Sequence, residues 1–189
     1  MKKLLFAAVA VFAFGVSNAQ EVKFGAKAGL NLSNFSGDAE GTSTKVGFQV
    51  GALAEIMISD KFAIQPELVY SSLGAKSSDE GFDYTSHLNY LNIPVMAKYF
   101  VAEGFSLEAG PQIGFLLSAK DKGDGEDVDT KEYYNSTDFG MNVGAGYDVT
   151  ENINLGLRYT FGLSNIAKDA PSGYKVGNSN IAFAVAYKF

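Results

Sequence analysis

Few residues of this chain could carry catalytic chemistry. His87 is the only histidine among 189 residues, and there is no cysteine. Ser86 and Asp83 lie close to it in sequence, so a serine–histidine–acid site of a membrane-embedded acyltransferase or protease is one hypothesis. Adjacent strand residues point to opposite faces, however, and no nucleophile motif surrounds Ser86. We therefore expect a non-enzymatic protein in which His87 is a solvated residue near one end of a predicted strand.

The acidic, glycine-rich segment 121–129 could offer oxygen ligands to calcium. An EF-hand loop needs acidic residues at its first, third and fifth positions and a closing glutamate, and this spacing is absent. We interpret the segment as a solvated loop, and we expect no metal site and no cofactor.

Composition excludes several classes of function. The formal net charge is −6 and arginine occurs once, at Arg158, so the basic face that nucleic-acid binding needs is missing. The lack of cysteine excludes a disulfide framework, a thiolate nucleophile and a zinc–thiolate site.

The N-terminus is typical of an export signal. Lys2 and Lys3 precede an apolar run over residues 4–16, and Ser17-Asn18-Ala19 offers small residues at a signal-peptidase site. The apolar run is shorter than the about 20 residues that a membrane-spanning helix needs. The sequence predicts a signal peptide over 1–19, cleaved to leave one domain over 20–189.

After the signal, apolar residues recur with a period of two, which predicts strands. Because a strand of about 9–11 tilted residues crosses a bilayer, the runs are long enough to span a membrane. There are eight candidate strands: 22–33, 46–58, 62–76, 87–101, 105–119, 137–150, 153–164 and 179–189.

Short and long connections alternate. Tight turns at 59–61, 102–104 and 151–152 separate long polar loops at 34–44, 77–86, 120–136 and 165–178. Short turns at one rim and long loops at the other are typical of outer-membrane barrels. The sequence therefore predicts an all-β, eight-stranded, antiparallel up-and-down transmembrane β-barrel in the outer membrane, with both termini in the periplasm.

The two faces of the strands differ in composition, and this difference indicates which face points outward. In the sixth candidate strand, Phe139, Met141 and Val143 alternate with Gly140 and Asn142. Small residues suit the narrow interior of a barrel, whereas glycine on an exposed strand surface would weaken it. We expect the apolar face to contact outer-membrane lipid, with aromatic girdles at both interfaces.

Six charged residues fall on the inward phase: Lys27, Glu55, Glu67, Lys98, Glu108 and Arg158. The interior of an eight-stranded barrel is wide enough only for side chains, so these charges must pair or stay hydrated. We expect a salt-bridged plug. The alternative is a continuous water path that passes small solutes.

The last strand ends on a terminal phenylalanine, with Val185, Tyr187 and Phe189 on its outward phase. It resembles the C-terminal signal by which outer-membrane barrels engage their assembly machinery. Segments 65–71, 90–95 and 110–114 resemble the PorT-like outer membrane β-barrel family of Bacteroidetes bacteria. The resemblance covers the mature chain and implies the fold, the location and contact with the assembly machinery, but no substrate.

Pro66, Pro94 and Pro111 fall inside predicted strands. Proline removes a ladder hydrogen bond and is normally confined to edges or bulges, and a closed barrel has no edges. We therefore expect bulges or local kinks at these positions.

Three functions fit these patterns. The main hypothesis is a non-enzymatic barrel with a structural or loop-presenting role in the cell envelope, whose loop partner is unknown. The alternatives are a narrow porin or a transport- or secretion-associated barrel, and a soluble periplasmic lipid-binding barrel. The outward aromatic residues disfavour the last.

Overall fold

The computed structural model describes residues 21–79, 82–123 and 127–189. The predicted signal peptide, 1–19, lies outside the described residues. Within them, no helix has the length and apolar character to cross a membrane.

The fold is a closed antiparallel barrel. Its eight wall strands pair in chain order, and the first pairs with the last to complete the ring. The wall strands are β1 (Val22–Gly37), β2 (Thr42–Ser59), β3 (Phe62–Asp79), β4 (Phe82–Ala102), β5 (Phe105–Lys122), β7 (Thr137–Asp148), β8 (Ile153–Gly162) and β9 (Val176–Lys188). Between β5 and β7, a two-residue strand β6 (Val128–Asp129) pairs with β5 and precedes a short 3₁₀ helix, Lys131–Tyr133. The predicted up-and-down topology is confirmed.

Turns at 60–61, 103–104 and 149–152 lie at one rim together with both ends of the barrel chain, and we call this the short-turn rim. The opposite end, which holds the β1–β2, β3–β4, β5–β7 and β8–β9 connections, is the long-loop rim. One predicted loop, 77–86, was wrong. β3 and β4 stay paired as far as Asp79 and Phe82. The sequence did not predict this extension, because both faces of a hairpin beyond the bilayer meet water and its strands then show no apolar alternation.

The burial of the wall alternates as predicted. Phe139, Met141 and Val143 are 52%, 40% and 41% exposed, whereas Gly140 and Asn142 are buried. Aromatic residues near the short-turn rim lie side by side across strands, with Phe62 opposite Tyr99 and Phe105 opposite Tyr147. An apolar exterior of this extent is what a lipid-facing surface requires.

The three strand prolines correct one expectation. The β2–β3, β3–β4 and β4–β5 registers continue unchanged past Pro66, Pro94 and Pro111, so none of them sits in a bulge. Each proline instead leaves two residue pairs missing from the ladder with the preceding strand, while the proline itself stays paired with a residue of the following strand. This follows because a residue's N–H and C=O point to one neighbouring strand only.

The bulges lie elsewhere. Register shifts occur between Thr44 and Gln49, Met57 and Ser59, Asn89 and Tyr90, and Phe100 and Ala102. Next to one proline, Gly110 lies so close to the Val95 carbonyl that a Cβ at this position would overlap it. A glycine is therefore needed beside Pro111.

The interior toward the long-loop rim holds an apolar core that the sequence did not predict. Leu73, Leu88, Tyr90 and Leu116 point inward from the wall and pack with Ile166, which comes from the β8–β9 connection. Ile166 thus fills the interior of the barrel at the long-loop rim. The expectation that small and polar residues line the interior does not hold at this end, because strand phase alone does not show that a loop folds back inside.

Candidate functional site

The candidate site is the barrel interior. All six predicted inward charges point into it from six different strands. Five of these residues are at most 8% exposed, and the Arg158 side chain is 11% exposed. The structure brings them together in two clusters.

The central cluster forms around Glu67. Its carboxylate accepts a hydrogen bond from Lys27 Nζ at 2.9 Å and two from the Arg158 guanidinium, at 2.9 and 3.1 Å. Arg158 Nε also donates to Glu108 Oε1 at 3.0 Å. One guanidinium therefore holds two carboxylates, which the compact ammonium of a lysine could not do with the same geometry.

The rim cluster lies nearer the short-turn rim and forms around Glu55. Lys98 and Lys188 both donate to its carboxylate, the latter at 2.9 Å. Lys188 also donates to Asp148 at 3.0 Å. Gln65 joins the two clusters, since its Nε2 donates to Glu67 at 2.7 Å and its Oε1 accepts from Lys98 at 3.2 Å.

Sequence reasoning missed Lys188, Asp148 and Gln65. The signal for Lys188 was available, because it lies between Tyr187 and Phe189 and so shares the inward phase of its strand. Asp148 ends its strand beside a turn, where phase is a weak guide. Gln65 carries no charge, and its role as a link emerges only when both clusters are placed.

Each cluster is balanced in formal charge. The central one pairs Lys27 and Arg158 with Glu67 and Glu108, and the rim cluster pairs Lys98 and Lys188 with Glu55 and Asp148. Buried charges are tolerated when they are paired and hydrogen-bonded. The arrangement leaves no net charge at this depth to attract or select a passing ion.

Amide and hydroxyl side chains form a belt between the central cluster and the apolar core. Thr160 donates to Asn142 Oδ1 at 2.7 Å, and Asn180 donates to Asn31 Oδ1 at 3.1 Å. These groups link neighbouring strands across the interior by side-chain hydrogen bonds.

Two small cavities lie in the described part of the barrel interior. One cavity of about 20 Å³ lies on the amide-belt side of Arg158, and one of about 30 Å³ lies on its other side. A single water needs about 10–15 Å³, so each cavity has room for one or two waters. Arg158, Gln49 and Ala182 line both cavities.

The residues considered for catalysis do not form a triad. Ser86 is buried and donates to Asp121 at 2.7 Å, while His87 follows on the other face of β4. The side chain of Asp83 lies outside the described residues, as do residues 124–126 of the acidic loop. Among the residues that are described, no three histidine, aspartate or glutamate side chains form a group able to hold a metal ion.

The outward residues of the last strand lie on the lipid-facing surface. Val185, Tyr187 and Phe189 are 53%, 55% and 73% exposed. The Phe189 N–H donates to the Phe24 carbonyl at 2.9 Å, so the chain end is fixed to β1 at the short-turn rim. A role in assembly remains a prediction.

Three solved structures share this architecture. Ail, the attachment invasion locus protein of Yersinia pestis, crystallised with the heparin analogue sucrose octasulfate, is 15% identical with a TM-score of 0.54, over 89% of this chain and 99% of Ail. Neisserial surface protein A is 18% identical with a TM-score of 0.53, over 89% and 99% of the two chains. A major outer membrane protein from Thermus thermophilus is 14% identical with a TM-score of 0.53, over 89% and 100%.

At these identities the likeness shows the fold alone. No curated protein matches the chain in sequence. The family model described as "outer membrane protein beta-barrel domain" matches residues 18–168, which is most of the chain. With its closed ring, lipid-facing apolar wall and filled interior, the chain belongs to this family of bacterial outer-membrane barrels.

Proposed function

We propose that this protein is a non-enzymatic, integral outer-membrane barrel with a closed lumen, whose role is structural or to present its loops. The observation that carries the proposal is the interior itself. Two charge-balanced clusters, an amide belt and an apolar core fill it, and the cavities beside Arg158 hold only one or two waters each. An open pore needs a continuous water path through the same space.

The cellular arrangement is part of the proposal. Residues 1–19 are removed as a signal peptide, the short-turn rim with both termini faces the periplasm, and the long-loop rim faces the cell exterior. The C-terminal residues Val185, Tyr187 and Phe189 engage the assembly machinery during insertion. The PorT-like group is the subgroup whose segments the chain resembles.

The loops support a presenting role because they are fastened to one another. Asp38 and Lys175 exchange hydrogen bonds that join the β1–β2 and β8–β9 connections, at 2.8 and 2.9 Å. The Asn135 side chain donates to the Asn165 carbonyl at 2.9 Å, which joins the β5–β7 and β8–β9 connections. We call these three connections the loop cap. Its surface is pre-organised, which lowers the entropy cost of binding.

The charge of the loops argues against the polyanionic ligand seen with Ail. Segments 38–44, 76–87, 120–137 and 165–175 carry twelve aspartates and glutamates against six lysines. A surface of this sign repels sulfated saccharides.

Single-channel recording in planar bilayers tests the closed lumen. We expect the purified barrel to show no steady conductance, because ion pairs with Glu67 and Glu108 hold the Arg158 side chain where it borders both interior cavities. Removing its side chain in Arg158→Ala joins them, so we expect conducting events to appear in this variant.

Lys23→Ala is the matched control, since it breaks a surface ion pair with Glu21 and leaves the interior unchanged. Steady conductance in the unmodified protein, unaltered by Arg158→Ala, would favour the narrow porin over a closed barrel.

A further inference from the structure

A cleft of about 440 Å³ opens at the long-loop rim, outside the barrel interior. Tyr84, Tyr133, Tyr134 and Tyr174 line it, and its floor is formed by Ile166 and Val176 of the apolar core. Its volume lies in the range of small-molecule sites, which extends from about 300 to 1,000 Å³. An aromatic lining with a few polar groups is the usual composition of such sites.

The cleft is held in shape by the loops that form it. Tyr134 pairs with Ala167 as an isolated β-bridge, and the Lys168 N–H donates to the Tyr133 carbonyl at 2.9 Å. Thr130 is fixed by its N–H, which donates to the Ala119 carbonyl at 3.1 Å. The lining tyrosines therefore belong to backbone segments that hydrogen bonds already position, so a ligand would not need to order them.

Two hydrogen-bond acceptors in the lining are available to a ligand. The Asp121 carboxylate accepts from Ser86 Oγ through Oδ1 at 2.7 Å, and Oδ2 can accept further bonds. Thr130 is 8% exposed, and its hydroxyl oxygen is buried with no hydrogen-bond partner within the described part of the chain. A buried hydroxyl without a partner is costly, and a ligand that donates to it would remove that cost.

The charges around the cleft select the sign of the ligand. Asp121 and Glu40 contribute two negative charges to the lining and Lys168 contributes one positive charge. Burial, with the nearby Asp121 carboxylate, raises the pKa of the Tyr134 hydroxyl above its usual value, so this ring stays neutral. Neutral tyrosine faces attract cations.

We propose that this cleft binds a small organic cation, a primary ammonium carried on an apolar or aromatic body. The ammonium donates to Asp121 and Thr130 while the body packs on the tyrosine rings above Ile166 and Val176. The site is independent of whether the lumen is closed, because it lies on the loop side of the apolar core.

Three probes of one shape and different charge test the proposal. Benzylamine, benzyl alcohol and benzoate are titrated into the full-length barrel in nanodiscs, and binding is followed by calorimetry and by NMR of the tyrosine rings. We expect benzylamine to bind at least about fivefold more tightly than benzyl alcohol, since a hydrogen bond to a charged group is stronger than a neutral one. Benzoate should bind most weakly.

Variants locate the site. Asp121→Asn and Thr130→Val keep the shapes of the side chains and should each weaken benzylamine binding by about threefold or more. Asp169→Asn is the matched control, because Asp169 is an exposed acid of the β8–β9 connection that does not line the cleft. It should leave affinity unchanged.

Equal affinity for benzylamine and benzyl alcohol would overturn the cationic class of ligand. No binding by any probe, or an equal loss in Asp121→Asn and Asp169→Asn, would overturn the site.

Discussion

At the scale of single residues, Arg158 is the side chain on which the interior depends most. It donates three hydrogen bonds to Glu67 and Glu108, and Glu67 has no other cationic partner than Lys27 among the described residues. We expect Arg158→Ala to destabilise the folded barrel by about 3–5 kcal/mol, because it leaves the buried Glu108 carboxylate without an ion-pair partner among the described residues and Glu67 with Lys27 alone. The urea midpoint in detergent measures the effect.

The control for Arg158→Ala must break an ion pair without opening the interior. Lys23→Ala does so, and a surface pair of this kind is worth about 0–1 kcal/mol. Tyr159→Phe would be a poorer control, because the Tyr159 hydroxyl is hydrogen-bonded to Ser179 at 2.8 Å. Equal midpoints for Arg158→Ala and Lys23→Ala would contradict the prediction.

A second residue prediction concerns the link between the clusters. Gln65 donates to Glu67 and accepts from Lys98, so Gln65→Leu removes both bonds while nearly keeping the volume. We expect a loss of about 1–3 kcal/mol in the free energy of unfolding, since hydrogen bonds to charged groups are worth this much. Gln49→Leu is the comparison, because the Gln49 side chain lies near Arg158 but makes no hydrogen bond to either cluster among the described residues, and a larger effect there would contradict a linking role.

The sequence predicted which residues point inward but not that the charged ones divide into two clusters. Strand phase placed Lys27, Glu67 and Arg158 correctly, because period two leaves only two choices per strand. The division into a central and a rim cluster depends on the stagger of neighbouring strands, which bulges at positions such as Met57 alter. Those bulges have no sequence signature here.

At the scale of strands, the prolines make one side of the wall different from the other. The gaps follow a diagonal across β2 to β5, whereas the β7–β8 and β8–β9 ladders run without interruption. Pro94 cannot donate to the Glu67 carbonyl opposite it, and one missing hydrogen bond costs about 0.5–1.5 kcal/mol. We expect backbone amides at the gaps to exchange about three- to tenfold faster than those of Val143 and Leu157, measured by NMR hydrogen exchange.

Pro94→Ala restores a donor to the Glu67 carbonyl and should slow exchange of the Glu67 amide, whereas Pro171→Ala in the β8–β9 connection should not. Exchange at the gaps as slow as at Val143 would show that the wall is uniform despite the prolines.

The last strand carries a separate prediction. Phe189 is 73% exposed and ends the outward row that includes Val185 and Tyr187. Its deletion removes the end of the row and should slow insertion, leaving aggregates in the periplasm. Phe189→Tyr keeps an aromatic terminus and should insert normally. Membrane fractionation of both variants decides, and normal yield after the deletion would contradict a role in assembly.

At the scale of the whole molecule, the closure of the strands into a barrel was predictable from the sequence, whereas the loop cap was not. Every backbone polar group in hydrocarbon needs a partner, so strands of this length and number had to close into a ring. The long-loop rim obeys no such rule. Ile166 lies in a polar connection and gives no sign in the sequence that it fills the barrel end, and the tyrosine cleft arises from loops far apart in the chain.

The final prediction concerns how the whole barrel is oriented in the membrane. If the short-turn rim faces the periplasm, a reagent outside the cell reaches the long-loop rim only. The chain has no cysteine, so single substitutions give unambiguous labelling. Asp127 and Asp60 are both exposed, the first beyond β5 and the second in the β2–β3 turn. Asp127 pairs only at the surface, with Lys122, so its replacement costs little stability.

In intact cells, a membrane-impermeant maleimide should label Asp127→Cys quickly and leave Asp60→Cys unlabelled. After the outer membrane is permeabilised, both should react, which controls for accessibility of the thiol itself. Rapid labelling of Asp60→Cys in intact cells, with Asp127→Cys protected, would place the loops and their cleft inside the cell envelope and reverse the orientation.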